Sequence, residues 1–140
     1  VKIEEQAVAD SVKEAGQKAA KKAASRGIAL DGQGGYVRHV LLCRGKSCCD
    51  GHDHKETEKR LNKRLKQLEK SGTYVYATMV DCLRLCRSGP LLVVYPDGVW
   101  YHSVTPKVVD RIVDEHLIGG QVVAEYAFAR NPLTQSVADD

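Results

Sequence analysis

Val37-Arg38-His39-Val40-Leu41-Leu42-Cys43 is an apolar run that ends on a cysteine. A second run, Tyr74-Val75-Tyr76-Ala77-Thr78-Met79-Val80, is followed two residues later by Cys82. Both runs are short and rich in β-branched, aliphatic and aromatic residues, so each predicts a buried strand. Between them lies one long helical pattern, opening at Asp53 or His54 and ending at Ser71-Gly72, with Leu61, Leu65 and Leu68 on its apolar face. Strand, helix, strand in that order implies parallel neighbours joined by a right-handed crossover. Parallel neighbours finish on the same side of a sheet. The cysteines come in pairs, Cys43-Arg44-Gly45-Lys46-Ser47-Cys48 and Cys82-Leu83-Arg84-Leu85-Cys86, so both pairs are expected at one end of that sheet. Four converging thiols point to a metal or cluster site.

The chain beyond the second pair continues the α/β pattern. Leu91-Leu92-Val93-Val94-Tyr95 predicts a third strand, Pro96-Asp97-Gly98 a tight turn, and Val99-Trp100-Tyr101-His102-Ser103-Val104 a fourth strand returning antiparallel. Thr105-Pro106 then opens a helix with a capping residue and a proline at its first position. Val108, Val109, Ile112, Val113 and Leu117 lie on one side of it, and Gly119-Gly120 stops it. Residues 121–128 are apolar enough for a further strand or a packed tail. A β-α-β unit, a β-hairpin and a C-terminal helix is the order of the thioredoxin-like fold, an α/β domain with a mixed sheet and helices on its faces. Gly89-Pro90 stands where that fold carries a cis proline, although no Cys-x-x-Cys motif follows the first strand.

Ahead of this domain, Val8, Val12, Ala15, Ala19 and Ala23 recur at three- and four-residue steps, predicting a helix over residues 4–25 with a narrow small-residue stripe. Such a stripe buries little area, so the helix is expected either as a solvated extension or as a docking element. Gly27, Gly32, Gly34 and Gly35 mark a linker. The expected organisation is a helical extension and linker over residues 1–35, a cysteine-bearing domain over 36–120, and an extended segment and tail over 121–140. A chain of 140 residues supports one hydrophobic core. With 43% hydrophobic and 28% charged residues, the balance is that of an ordinary soluble protein. No membrane span and no signal-peptide core is expected. Five cysteines, an odd number, argue against a closed disulfide framework. Clustered thiols without a secretion signal point to a reducing compartment, the cytoplasm.

Three chemistries suit the paired cysteines. A [2Fe-2S] cluster wants four thiolates, two per iron, on rigid elements shielded from water. Tetrahedral zinc accepts the same four sulfurs, though usually from tight Cys-x-x-Cys knuckles, and would make this a binding module. Disulfides within each pair would make it a thiol–disulfide redox protein.

Cys43-x4-Cys48, thirty-three intervening residues and Cys82-x3-Cys86, followed by Gly89-Pro90 and Val94-Tyr95-Pro96-Asp97-Gly98-Val99-Trp100-Tyr101, resemble the thioredoxin-like [2Fe-2S] ferredoxin family. That family includes stand-alone bacterial ferredoxins and the peripheral [2Fe-2S] subunit of NADH dehydrogenases and NAD-linked hydrogenases. The resemblance covers residues 36–120. It implies Cys43, Cys48, Cys82 and Cys86 as cluster ligands, a [2Fe-2S] cofactor, and one-electron transfer to redox partner proteins, without catalysis by the chain itself. Cys49 is then either a bystander thiol beside Cys48 or its replacement as ligand, since one residue of slack costs little in a glycine-containing loop. His52 and His54 invite a two-histidine site, but four cysteines already complete the set.

Lys55, Lys59, Arg60, Lys63, Arg64, Lys66 and Lys70 crowd the helix over 55–70. They form either a solvated face or a docking patch for an acidic redox partner. No interleaved aromatics favour nucleic acid. Arg44, Lys46, Arg84 and Arg87 flank the cysteines, where cations favour a more negative, reduced site. Arg84, between Leu83 and Leu85, is expected to act most strongly, and the two leucines to shield the site from water. A homodimer is expected from the small-residue helix, the apolar stretch over 121–128 and the frequent dimerisation of stand-alone members of the resembled family.

Overall fold

Strands β1 (Arg38–Cys43) and β2 (Val75–Val80) run parallel, in register from Arg38 beside Val75 to Cys43 beside Val80. The crossover between them contains helix α2 (His54–Lys70), and helix α1 (Lys2–Ser25) precedes β1 in the chain. Strands β3 (Leu92–Tyr95) and β4 (Val99–Tyr101) form the antiparallel hairpin. Helix α3 begins as Pro106–Arg111 and continues, more loosely wound, over Ile112–Ile118. Strand β5 (Ala127–Arg130) then pairs antiparallel with β4, which makes the end of the 121–128 stretch part of a strand. The sheet has five strands in the order β2-β1-β3-β4-β5. This structure is a computed structural model, and it describes residues 2–45, 54–85 and 87–133. The chain separates into two units, Val1–Tyr36 and Val37–Asp140. In the first, Val8 and Val12 of α1 are exposed. No described helix is long and apolar enough to cross a membrane.

The two-residue period of a strand decides where each side chain goes. Val40, Leu42, Leu92, Val94, Val99 and Tyr101 share one face of the sheet, and all are fully or almost fully buried. Leu61, Leu65 and Leu68 of α2 close over it together with Val108, Val109, Ile112 and Val113 of α3. Each such side chain, fully buried, stabilises the fold by roughly 1.5–3 kcal/mol. The same period sends Cys43 to the opposite face, where it packs with Leu91 and Leu83. Thr105 occupies the capping position of α3 but makes no side-chain cap bond; Pro106 supplies the start instead. Thr57 of α2 donates its hydroxyl to the Val104 carbonyl at 2.7 Å, tying α2 to the segment that leads into α3. Arg60 and Arg64 bind Asp110, and Arg64 also binds Asp114. Arg60 and Arg64 are thus engaged within the fold, while Lys55, Lys59, Lys63, Lys66 and Lys70 of the same helix are exposed to solvent.

A partly buried polar chain runs from the end of the sheet away from Cys43, at Arg38 and Asp97, to Tyr101, which stands level with Leu42. Arg38 Nε donates to Asp97 Oδ2 at 2.9 Å, and His116 Nε2 lies 2.7 Å from the same oxygen. His116 Nδ1 is 2.8 Å from the Tyr101 hydroxyl, which accepts the Val123 N–H at 3.1 Å. With His116 neutral and protonated on Nε2, every group is satisfied: the imidazole donates to Asp97 and accepts from Tyr101. A second proton on Nδ1 would leave the tyrosine hydrogen without its acceptor. Burial accordingly holds the imidazole below its ordinary 6.5, against the upward pull of Asp97. Burial would raise the Asp97 carboxyl, but bonds from Arg38 and His116 outweigh it and hold that group low.

Stability must then fall on acidification. Unfolded His116 takes a proton near its ordinary value of 6.5, whereas the folded imidazole resists until lower pH. Burial lowers His39 as well, which adds an effect of the same sign. The urea midpoint is expected to drop between about pH 7.5 and about pH 5.5. In His116→Gln the drop should shrink to the part due to His39. Equal pH dependence in the two proteins would refute this assignment.

Candidate metal centre

Cys43 is the last residue of β1 and is fully buried. Its N–H donates to the Leu91 carbonyl at 2.9 Å, and the Arg44 N–H extends the parallel ladder to the Val80 carbonyl at 2.8 Å. Cys82 stands two residues past the end of β2 and is exposed. Arg44 Nε lies 3.5 Å from Asp81 Oδ1, linking the residue after one cysteine to the residue before the other. Just beyond, the two loops meet backbone to backbone. A Cβ placed on Gly45 would sit 2.3 Å from the Asp81 carbonyl oxygen, a distance no side chain tolerates. The glycine two residues after Cys43 therefore lets the two cysteine loops close on each other.

The loop after β2 is bent around Cys82. The Arg84 N–H donates to Cys82 Sγ at 3.1 Å, and Arg84 holds a left-handed φ of 69°. A non-glycine residue there is strained by roughly 1–3 kcal/mol. An N–H aimed at sulfur stabilises negative charge on it. Leu83 packs onto Cys43 and Leu91, as shielding requires, but Leu85 is 48% exposed. Further along, Ser88 (φ 58°) and Ser103 (φ 51°) are also left-handed, and the Ser103 N–H donates to the Ser88 carbonyl at 2.9 Å. The Gly89-Pro90 peptide is cis, and so is Tyr95-Pro96, which the sequence did not suggest. Arg84 and Arg87 are exposed and make no ion pair among the described residues.

Cys48, Cys49 and Cys86 lie outside the described residues, as do Lys46, His52 and Asp53. Of the four cysteines expected as ligands, Cys43 and Cys82 are placed, at the same end of the same sheet. Among the described residues no three metal-binding side chains come together. The donor chemistry still fits a sulfur-ligated centre. The placed donors are thiols, a backbone N–H faces one of them, and Gly45 lets the loops that carry them close on each other. His54, whose neighbourhood invited a histidine site, is instead the first residue of α2.

No family model matches the chain. Curated relatives do. The protein named "Putative 2Fe-2S ferredoxin" of Priestia megaterium is 40% identical over 86 residues, 61% of this chain and 65% of that protein. "Ferredoxin, 2Fe-2S" of Aquifex aeolicus (strain VF5) is 47% identical over 53 residues, 38% of this chain and 48% of that protein. The matches thus span between about half and two thirds of these relatives' length. A solved structure, the wild-type thioredoxin-like [2Fe-2S] ferredoxin from Aquifex aeolicus, superposes with a TM-score of 0.58 at 30% identity, covering 67% of this chain and 98% of that one. The chain belongs to the thioredoxin-like [2Fe-2S] ferredoxin family. Within it, Cys43 and Cys82 sit on the scaffold that the sequence motif announced. Gly45, Ser88 and Ser103 were not singled out; a glycine two residues after the first cysteine was the available signal for the loop contact.

Gly45→Ala should force Asp81 away and destabilise the domain by about 1–3 kcal/mol. Gly16→Ala in α1, where an added Cβ meets nothing within 4 Å, should be neutral or stabilising by up to about 1 kcal/mol. Urea unfolding of the two variants checks both. A harmless Gly45→Ala would mean that the loops do not need their close approach.

Proposed function

We propose that this chain is a one-electron carrier whose [2Fe-2S] cluster is held by Cys43, Cys48, Cys82 and Cys86. The observation that carries the reading is the meeting of the two cysteine loops, Gly45 against Asp81, at the shared C-terminal end of two parallel strands. When bound, such a cluster takes up and releases a single electron. The residues have the tasks this requires. Cys43 binds from a buried, strand-anchored position and Cys82 from an exposed turn. Leu83 and Leu91 keep water from the buried side. The Arg84 N–H offsets negative charge on the Cys82 sulfur. No acid–base pair is needed. In this reading residues 36–120 carry the cluster, residues 1–35 are an extension and residues 121–140 follow as a C-terminal segment. The chain acts in the cytoplasm, passing electrons to partner proteins through complementary charge, with the exposed lysines of α2 as one docking patch.

Purified anaerobically, the protein is expected red-brown, with two irons and two sulfides per chain. One zinc in a colourless protein, or reversible disulfides without metal, would replace this reading with a zinc module or a thiol redox protein. Serine at Cys43, Cys48, Cys82 or Cys86 should each lower iron and sulfide content, whereas Cys49→Ser should not. Normal content in Cys48→Ser with loss in Cys49→Ser would reassign that ligand.

Arg84 and Arg87 face solvent, which places their influence at the water-screened end of Coulomb's law. Arg84→Gln and Arg87→Gln should each lower the reduction potential by on the order of 20 mV, and less at high salt. Anaerobic redox titrations measure this; unchanged potentials would leave the two charges only a steering role.

We further propose a homodimer. The sheet face opposite α2 and α3 carries Leu41, Tyr76, Val80 and Trp100 only half-buried. Sedimentation at several concentrations tests it, and a monomer throughout would end the idea.

A further inference from the structure

A cleft of about 410 Å³ opens beside the second cysteine loop, lined by Leu85, Arg87, Ser88, Leu91, His102 and Phe128. Three features make it a built site. Its floor is Leu91, the residue that also packs against Cys43. Its wall is Phe128, the extra residue where the β4–β5 pairing shifts: Trp100 pairs with Ala129 and Tyr101 with Ala127. Such a bulge re-aims a side chain. Phe128 stays 45% exposed yet is steadied by His102 and Trp100, with ring centroids at 6.0 and 6.4 Å. Its rim is fixed by strain, since Ser88 and Ser103 are both left-handed and bonded to each other, and Ser103 Oγ is 2.9 Å from His102 Nδ1. Arg84, Ser88 and Ser103 are all the non-glycine left-handed residues among those described, and all lie at this end of the sheet. Residues that hold such conformations concentrate at working surfaces.

Resting on the electron-carrier reading, we propose that this cleft is the docking point for a redox partner protein, which inserts an apolar side chain flanked by carboxylates. The charge argues for that occupant. Arg87 lines the apolar cup and Arg84 stands near it in the chain, both exposed and without an ion pair among the described residues, whereas Arg44 is already matched by Asp81. An apolar centre with a cationic edge fits an apolar knob with an anionic edge. The last described residue, Leu133, is held away from the cleft, its N–H bonded to the Pro96 carbonyl at the opposite end of the hairpin. A side chain seated in the cup would rest on Leu91, which packs against Cys43.

The test uses the cluster-loaded full chain and a fluorescein-labelled peptide with one phenylalanine between two glutamates on each side. Anisotropy should report binding that weakens as salt rises. Controls with alanine for the phenylalanine, or lysines for the glutamates, should bind about tenfold more weakly. Phe128→Ser and Leu85→Ser should each cost about tenfold, and Arg87→Glu at least as much. Arg87→Glu lies at the rim, so it keeps the test decisive if Phe128→Ser fails to fold. A dissociation constant above about 1 mM, or equal binding of all three peptides, overturns the proposal while iron and sulfide content stays intact. Conversion of a dimer to a monomer by Phe128→Ser would give the cleft to a second copy of the chain and overturn it too. Absence of iron and sulfide from the wild-type chain would overturn both this proposal and the function it rests on.

Discussion

Parallel pairing of β1 with β2 is the constraint on which the site depends. Because the two strands start and finish together, the residues that follow them emerge side by side, although 39 positions separate Cys43 from Cys82 in sequence. Parallel strands cannot be joined by a tight turn, so the chain must supply α2, and α2 in turn supplies a leucine face for the core. The Arg44 N–H carries the ladder one bond past the last pair, and Gly45 then lets the loops touch. A side chain at that position would separate the loops where they need to converge.

The opposite end of the sheet is stiffened by different means. Arg38, Asp97, His116 and Tyr101 come from the start of β1, the hairpin turn, α3 and β4, and one chain of hydrogen bonds joins all four. A partly buried polar chain gains little over an apolar core in net energy. Its value here is specificity: each partner has one position that satisfies its neighbours. Register between β1 and the hairpin is thereby fixed from the far end, and an error there would carry Cys43 away from Leu91.

The fold was legible because its signals were periodic. The strand runs, the leucine stripe of α2 and the Pro96-Asp97-Gly98 turn all reported local structure that packing did not override. Together with the strand pattern, the cysteine spacing put Cys43 and Cys82 at one end of the sheet, where the structure has them; Cys48 and Cys86 lie outside the described residues. The sequence did not expose the second role of Asp97, since the aspartate of a turn and the aspartate of an ion pair look alike until Arg38 and His116 are brought to it. His116 was hidden because it lies inside a helix whose looser winding over Ile112–Ile118 has no sequence signature. Arg60 and Arg64 read as surface charge for the same reason: Asp110 and Asp114 meet them only across a helix–helix contact. Thr105 shows the converse, a favourable capping residue in the right place whose side chain is not used.

Strain and exposure fall together at the cysteine end. Three left-handed non-glycine residues there cost about 1–3 kcal/mol each, and glycine at any of them would relieve it. The domain keeps Arg84, Ser88 and Ser103 instead, next to two large exposed apolar side chains, Leu85 and Phe128. An end selected for stability alone would bury those side chains and relax those turns. The core beneath α2 and α3 and the polar chain at the far end make the strained conformations tolerable, because the strands that carry them have nowhere else to go. Rigidity at one end thus permits an exposed, preorganised surface at the other. An electron carrier needs that asymmetry, since its redox centre must be held firmly and still lie close enough to the surface to exchange electrons.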